Sequence, residues 1–385
     1  MVACSSVRNL TFVLSVVTCS MAQSALHPPG PATSAPPVKL SLVVASTVQV
    51  PTLPAESITE PIFCDLGGSI VFRLAMPDTG VGDPISVSRD GKTVISFTRQ
   101  KINDVSRPEV MSMFPSGSGV YILTRGTVLI GGETKWRTPT GEVQIHPATK
   151  SSTFVARFER DGTYGGAVLL DLPFKPLHLG VFENGDFLIA GAEPSTDEPR
   201  VAIVGPNGQL RRFVELKGDV HAQTDSDIAA RDKDPTALPR SKPWRGAFAE
   251  SLRDVVSNSQ IVKDGPNLLL FRPMNGPVYS ISAGGEVQVH KLKMEGDYRL
   301  FTIRADRNSW IVELIHEVPH GGGDEFATYA FDRESGSPLR EYFFPTDLGW
   351  GLACADGDEF TFVMADDVGT SLKLVKLTPA GSPEQ

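Results

Sequence analysis

The chain is poor in cysteine, poor in clustered positive charge and has no long apolar run. It carries four cysteines in 385 residues, and two of them, Cys4 and Cys19, fall within the first 24. A small scaffold stapled by several disulfides is excluded. Lys and Arg number 36 against 45 acidic residues, a formal charge of −9. The densest basic stretch is Arg231, Lys233, Arg240, Lys242 and Arg245, and it is interleaved with Asp232 and Asp234. Nothing matches the basic footprint that a nucleic-acid backbone requires, so no nucleic-acid partner is expected. No segment has 18 uninterrupted apolar residues, so no membrane span is expected. Catalytic signatures are missing too: there is no G-x-S-x-G, no Walker loop and no G-x-G-x-x-G after a strand. Pro115-Ser-Gly-Ser-Gly119 comes nearest, but a nucleophile at Ser118 would need glycine at the positions of Ser116 and Val120.

What is abundant is turn chemistry. The chain holds 36 Gly and 30 Pro and is 41% hydrophobic. That is enough apolar material for a large core and too many turn formers for a helical protein. The turns keep a rhythm. Each unit reads as a first turn, a strand and a second turn. First turns centre on Gly67, Gly119, Gly185, Gly265, Asn308 and Gly357, and second turns on Gly91, Gly162, Gly208, Gly285, Gly336 and Gly381. Apart from one gap of 43 (162−119) and one of 57 (265−208), successive turns lie 20–28 residues apart. Short β-branched and aromatic runs flank them, such as Phe187-Leu-Ile-Ala190 and Phe360-Thr-Phe-Val-Met364. Such runs punctuated by Asn-Gly and Asp-Gly are hairpin chemistry. The expectation is an all-β repeat of about four strands per unit: a β-propeller, with six blades favoured and seven the runner-up.

Residues 1–24 read as a secretory signal. Arg8 is its only charge, Leu10 to Val17 its apolar run, and Ser20-Met-Ala22 or Ala22-Gln-Ser24 its cleavage site. An N-terminal anchor, or a lipid on Cys19, is the alternative. Residues 25–61 form a Pro-rich leader, extended or disordered, in which Val38 to Val50 is a candidate outer strand joining the ring ends. Residues 62–385 form the propeller domain. Two insertions interrupt it. Gly126 to Lys150, with Trp136 and His146, reads as one extra hairpin. Residues 218–256 begin acidic and end with helical spacing at 248, 252, 255 and 256. The location expected is periplasmic or secreted, and the state monomeric.

Several constellations bear on chemistry. Cys64-Asp-Leu-Gly67 and Cys354-Ala-Asp-Gly357 place two cysteines alike in the first and last repeats. In a closed ring these units are neighbours, so Cys64 and Cys354 are disulfide candidates, with two buried thiols as the alternative. His316-Glu-Val-Pro-His320 matches the H-E-x-x-H zinc pattern as text. That motif works only on a helix, and Trp310 to Ile315, Pro319 and the triple glycine from 321 argue for a hairpin instead. Asp65, Asn184, Asp264, Asp306 and Asp356 recur at the first turns, where they would gather at one end of the channel. Carboxylates there suit Ca²⁺, although Asp and Asn cap turns in any β protein. Asp264, Asp306, Asp356, His316 and His320 are thus the metal candidates, and no cofactor is otherwise expected. Trp244 beside Arg245 in the large insertion is the candidate binding anchor.

The segment Leu179 to Ile189 with Ala202 to Leu210, and Tyr279 to Val287, alternates strand–Asn/Asp-Gly–strand elements with second glycine turns. In this it resembles NHL-like and TolB-like six-bladed propellers over roughly residues 62–385. The long second unit and the insertion after Lys217 depart from that pattern. The resemblance implies protein-binding or polymer-binding modules, with a minority of metal-dependent lactonases and lyases. The reading taken forward is an exported binding or scaffold protein for a protein, peptide or glycan. A metal-dependent hydrolase or lyase acting in the channel is the alternative.

Overall fold

The structure is a computed structural model. It describes residues 36–50, 57–65, 67–76, 80–102, 106–117, 119–196, 198–216, 256, 258–273, 277–293, 298–317, 324–345, 351–365 and 371–381. The predicted signal at 1–24 lies outside these residues.

Strands dominate them. After β1 (Val38–Val50) come β2 (Ser57–Cys64), β3 (Ile70–Met76), β4 (Gly80–Val87) and β5 (Val94–Ser96) in one four-stranded sheet. The second sheet holds β6 (Ser106–Ser116), β7 (Gly119–Arg137), β8 (Val143–Phe158) and β9 (Tyr164–Leu169). The third holds β10 (Lys175–Val181), β11 (Phe187–Ala192), β12 (Pro199–Val204) and β13 (Leu210–Phe213). The fourth holds β14 (Gln260–Asp264), β15 (Asn267–Phe271), β16 (Val278–Ile281) and β17 (Val287–His290). The remaining strands are β18 (Arg299–Ala305), β19 (Ser309–Glu317), β20 (Asp324–Asp332), β21 (Pro338–Phe343), β22 (Leu352–Asp356), β23 (Glu359–Ala365) and β24 (Leu372–Pro379). They form an eight-stranded sheet ordered β18-β19-β20-β21-β1-β24-β23-β22. The architecture is all-β and propeller-like.

Burial follows the pattern of apolar residues. Central strands such as β11, with Phe187-Leu-Ile-Ala-Gly-Ala192, are buried throughout. A short continuous apolar run bounded by turns is what a strand covered on both faces requires. Outer strands are wet: Arg211, Arg212 and Phe213 of β13 are exposed. The first strands contact one another around the middle, β6 with β10, β10 with β14, β14 with β18, β18 with β22, and β22 with β2.

The turn rhythm maps onto this plan with one correction. The interval between a first and a second turn holds two strands, not one: β3 and β4, for example, lie between the turns at Gly68 and Gly91. Second turns share a glycine in the left-handed region. In four of them the glycine N–H donates back three residues, as Gly208 to Gly205, Gly91 to Ser88, Gly162 to Glu159 and Gly285 to Ser282. Gly208 has φ +82°, and an added Cβ would lie 1.9 Å from the Leu169 carbonyl oxygen of the preceding sheet. Only glycine serves there, because it takes the left-handed region and lets two backbones touch. The same approach recurs where Gly336 meets the Lys291 carbonyl and where Gly91 meets β1 at Val48 and Gln49.

The long second unit is a single sheet. The insertion at 126–150 is not an extra hairpin but a lengthening of the β7–β8 hairpin, whose pairing runs from Val120↔Phe158 out to Arg137↔Val143. β6 follows β7 only as far as Thr127, and β9 stops at Phe154 on β8. The outer part is therefore a two-stranded arm.

Chain ends meet at β1. Its first residues, Val38 to Ser41, pair parallel with Arg340 to Phe343 of β21, and Leu42 to Val50 pair antiparallel with β24. Residues 38–50 of the Pro-rich leader thus belong to the eight-stranded sheet, and the start of β2 belongs to the first four-stranded one. Ile58, Ile62, Ile70 and Phe72 of the first sheet pack with Ala353, Val363 and Leu374 of the last. On the inner side Cys64 and Cys354 form a disulfide with Cα atoms 5.1 Å apart and 290 residues between them in sequence. Cross-linking so long a loop removes entropy from the unfolded chain. Cys354→Ser should lower stability by about 3–5 kcal/mol in urea titration. Reduced wild-type protein should shift to the same midpoint. An unchanged midpoint on reduction would show that β1 alone closes the ring.

Candidate functional site

Chain direction sorts the connections into two ends. Within each four-strand meander the first and third turns fall at one end. The second turn and the link to the next sheet fall at the other. The Asn/Asp-Gly turns at Gly91, Gly162, Gly185, Gly208, Gly265 and Gly357 therefore share one end. The β7–β8 arm, the last residue of β13 and the first of β14 share the opposite, open end.

Each end has a cavity. At the tight-turn end one of about 350 Å³ is lined by the last residues of the first strands and the turns that follow. These include Cys64, Asp65, Phe114, Glu183, Val262, Lys263, Arg304, Asp306 and Ala353, with Arg333 from the turn after β20. At the open end one of about 320 Å³ is lined by Pro61, Phe63, Arg73, Met111, Ser112, Met113, His178, Leu179, Asn258, Ser259, Gln260, Ile261 and Pro273. Phe63 lines both. It is buried and meets the Phe114 ring edge-on at 5.5 Å. It marks the waist between the two.

The charges at the tight-turn end are matched within the protein. Asp264, buried at the end of β14, accepts from Trp310 Nε1 at 3.0 Å and pairs with Arg333 Nη1 at 2.7 Å. Arg333 Nη2 also donates to the Asp306 carbonyl. Asp306 Oδ1 accepts from Gly357 N–H at 3.2 Å. Lys263 pairs with Glu183 at 2.9 Å, Arg307 with Asp356 at 3.7 Å, and Arg160 with Asp65 at 3.7 Å. Asn184 holds its own turn, accepting from Asp186 N–H at 3.0 Å. Buried Arg304 donates to the Leu352 carbonyl at 3.0 Å and ties β18 to β22. His290 lies against Trp310 with ring centroids 4.8 Å apart. Burial lowers the His290 pKa, opposed by a hydrogen bond to the Arg333 backbone and by the Asp264 charge.

The sequence-derived candidates sort accordingly. Asp65 and Asp306 do meet at one cavity, and Asp264 stands beside it between two of its lining residues, Lys263 and Gly265. Asp356 is exposed at the rim and paired with Arg307. Among the described residues no three His, Cys, Asp or Glu side chains come together as a cation cluster. His316 sits in β19 opposite Glu325, so the first histidine of the H-E-x-x-H text is on a strand. The expected hairpin is β19–β20, with Ile315 opposite Phe326. His320, Trp244, Arg245 and almost all of 218–256 lie outside the described residues.

Sequence reasoning missed Arg73. It is the single charge in Ile70-Val-Phe-Arg-Leu-Ala-Met76, whose neighbours Val71, Phe72 and Leu74 are buried. A lone guanidinium inside an apolar strand is the signal that was available. Its Nε donates to the Gly82 carbonyl at 2.9 Å. The nearby carboxylate of Asp83 is held by Arg99 at 2.6 Å. Burial first, then the like charge of Arg99, lower the Arg73 pKa against the opposing pull of Asp83.

No family model and no curated protein matches the sequence. Among solved structures, a member of the DUF4221 family from Bacteroides vulgatus aligns at TM-score 0.51 and 11% identity, covering 89% of this chain and 98% of that one. The fold is propeller-like in both. A protein of unknown function from Dyadobacter fermentans aligns at TM-score 0.45 and 12% identity, over 88% and 99% of the two chains. A catalytically inactive virginiamycin B lyase from Staphylococcus aureus with quinupristin aligns at 0.39 and 10%, over 86% and 99%. Identities this low concern fold alone.

If Asp264 is structural, Asp264→Ala leaves the Trp310 N–H and the Arg333 guanidinium without their acceptor. A loss of about 3 kcal/mol is expected in chemical denaturation. Trp310→Phe should cost less, since it removes one donor and keeps the ion pair. Equal and negligible effects would remove the structural role.

Proposed function

We propose that this protein is an exported, six-bladed β-propeller that works as a binding or scaffold module for a protein, peptide or glycan. On this reading the eight-stranded sheet counts as two blades joined through β1. The ligand enters at the open end. One observation carries the choice of end: among the described residues the cavity there is lined by hydroxyl, amide and imidazole side chains with one cation and no acid, whereas charges at the tight-turn end are paired with one another. Both long departures from the repeat leave from that same open end, where repeat proteins place their binding loops. Export rests on the residues read as a signal and on the Cys64–Cys354 bond, which suits an oxidising compartment.

Filling the open end tests the site. Ser112→Trp should abolish capture of any probe bound on a peptide or glycan array. Ala305→Trp, at the tight-turn cavity, should leave it intact. Loss with the second variant alone would reverse the assignment.

The alternative, a metal-dependent hydrolase or lyase, predicts a metal-sensitive melt. The binding reading expects the same Tm in EDTA, in added Ca²⁺ and in added Zn²⁺. A drop in EDTA restored by one metal would favour the enzyme, since a ligand of the folded state raises its stability by mass action.

A further inference from the structure

We infer that the open-end cavity takes a ligand through a single carboxylate group, with Arg73 as the counter-charge; this rests on the reading that the cavity is the binding site.

Arg73 is the first ground. It lines the cavity, is half-buried, and among the described residues its guanidinium donates through Nε alone, to the Gly82 carbonyl. No ion pair joins Arg73 to a carboxylate of the described residues. Asp83, the acid near enough to be felt, is committed to Arg99 through two contacts, Arg99 Nε at 2.6 Å and Arg99 N–H at 3.3 Å. The Arg73 Nη groups are therefore the outstanding charged donors of this wall.

The second ground is the rest of the lining. On a chain of formal charge −9 the described residues that line the cavity include no Asp or Glu. Its other polar side chains, Ser112, His178, Asn258, Ser259 and Gln260, are neutral and add no charge of their own; Ser259 Oγ is held by the Val256 carbonyl, and Gln260 Oε1 accepts from Thr302. One guanidinium among neutral side chains balances one negative charge. A phosphate, near two negative charges, would leave a surplus that nothing here neutralises. Size agrees: about 320 Å³ is near the small end of the roughly 300–1,000 Å³ range of ligand pockets. The apolar floor of Met111, Met113 and Phe63 suits a ligand with a hydrocarbon face.

A carboxylate reaches such a site from an acidic sugar or from a peptide C-terminus. Calorimetric titration of the full protein with two matched pairs separates them: glucuronic acid against glucose, and N-acetyl-alanyl-alanine against its amide. Binding of one acid but not its neutral partner is expected, weakened at least about tenfold in Arg73→Gln and largely retained in Arg73→Lys, which keeps charge but not the fork. Which acid binds names the source. Where Arg73→Gln does not fold, salt dependence of the wild type decides: affinity for the acid should fall as ionic strength rises, and that of a neutral probe should not. Equal binding of acid and neutral forms, unchanged in the variants, overturns the carboxylate assignment and leaves the cavity as a site. No binding by any of the four overturns it too, and the Ser112→Trp comparison then judges the cavity alone.

Discussion

Closure of the ring is the constraint on which the rest depends. Sheets stacked around an axis expose two large apolar faces unless the first meets the last. Here the faces to be covered carry Ile58, Ile62, Ile70 and Phe72 on one side and Ala353, Val363 and Leu374 on the other. Two devices hold them together at different radii. On the outer circumference β1, from the start of the chain, completes the edge beside β24, from its end. On the inner circumference Cys64 and Cys354 join β2 to β22. An edge strand drawn from the far end of the sequence also removes an exposed row of backbone donors and acceptors. β1 goes further than an edge needs, since its first residues pair with β21 as well. That double pairing is why two sheets merge into one of eight strands.

The glycine turns are the second layer of the same constraint. A ring of sheets stays regular only if each sits at a fixed distance from the last. Gly208 against Leu169 and Gly336 against Lys291 set that distance by backbone contact, and Gly91 sets it against the Val48 side chain and the Gln49 carbonyl. A side chain at any of them would hold neighbouring sheets apart. This explains why glycine is spaced so evenly in the sequence even though the sheets differ in every other residue.

Much of the fold was therefore legible. The turn positions follow from Asn/Asp-Gly pairs whose backbone demand is local, and equal frames in the first and last units make Cys64 and Cys354 candidates for a bond that only their 5.1 Å Cα separation decides against two free thiols. What was not legible depends on distance in space. The strand count between turns was misread because β3 and β4 join through residues without an Asn-Gly or Asp-Gly mark. The insertion at 126–150 looked like a separate hairpin because composition does not show that its two arms continue β7 and β8. Asp264 was read with the other turn acids because sequence cannot show Trp310, 46 residues away, donating to it. Arg73 carried a visible mark, a charge amid buried apolar residues, but its meaning needs Asp83 and Arg99 in place.

The two ends of the molecule follow from the same chain geometry. Tight turns demand short polar residues, and crowding carboxylates around one channel mouth would be costly if they were left unpaired. The chain answers with Arg160, Lys263, Arg307 and Arg333 at that mouth, so its charge is consumed in holding the turns. The opposite mouth has no such demand. Among the described residues of its cavity the polar side chains are neutral but for one guanidinium, which is only partly engaged. Among the described residues the Nη groups of that guanidinium are the charged donors that folding leaves to a ligand, and they stand at the end where the repeat is broken.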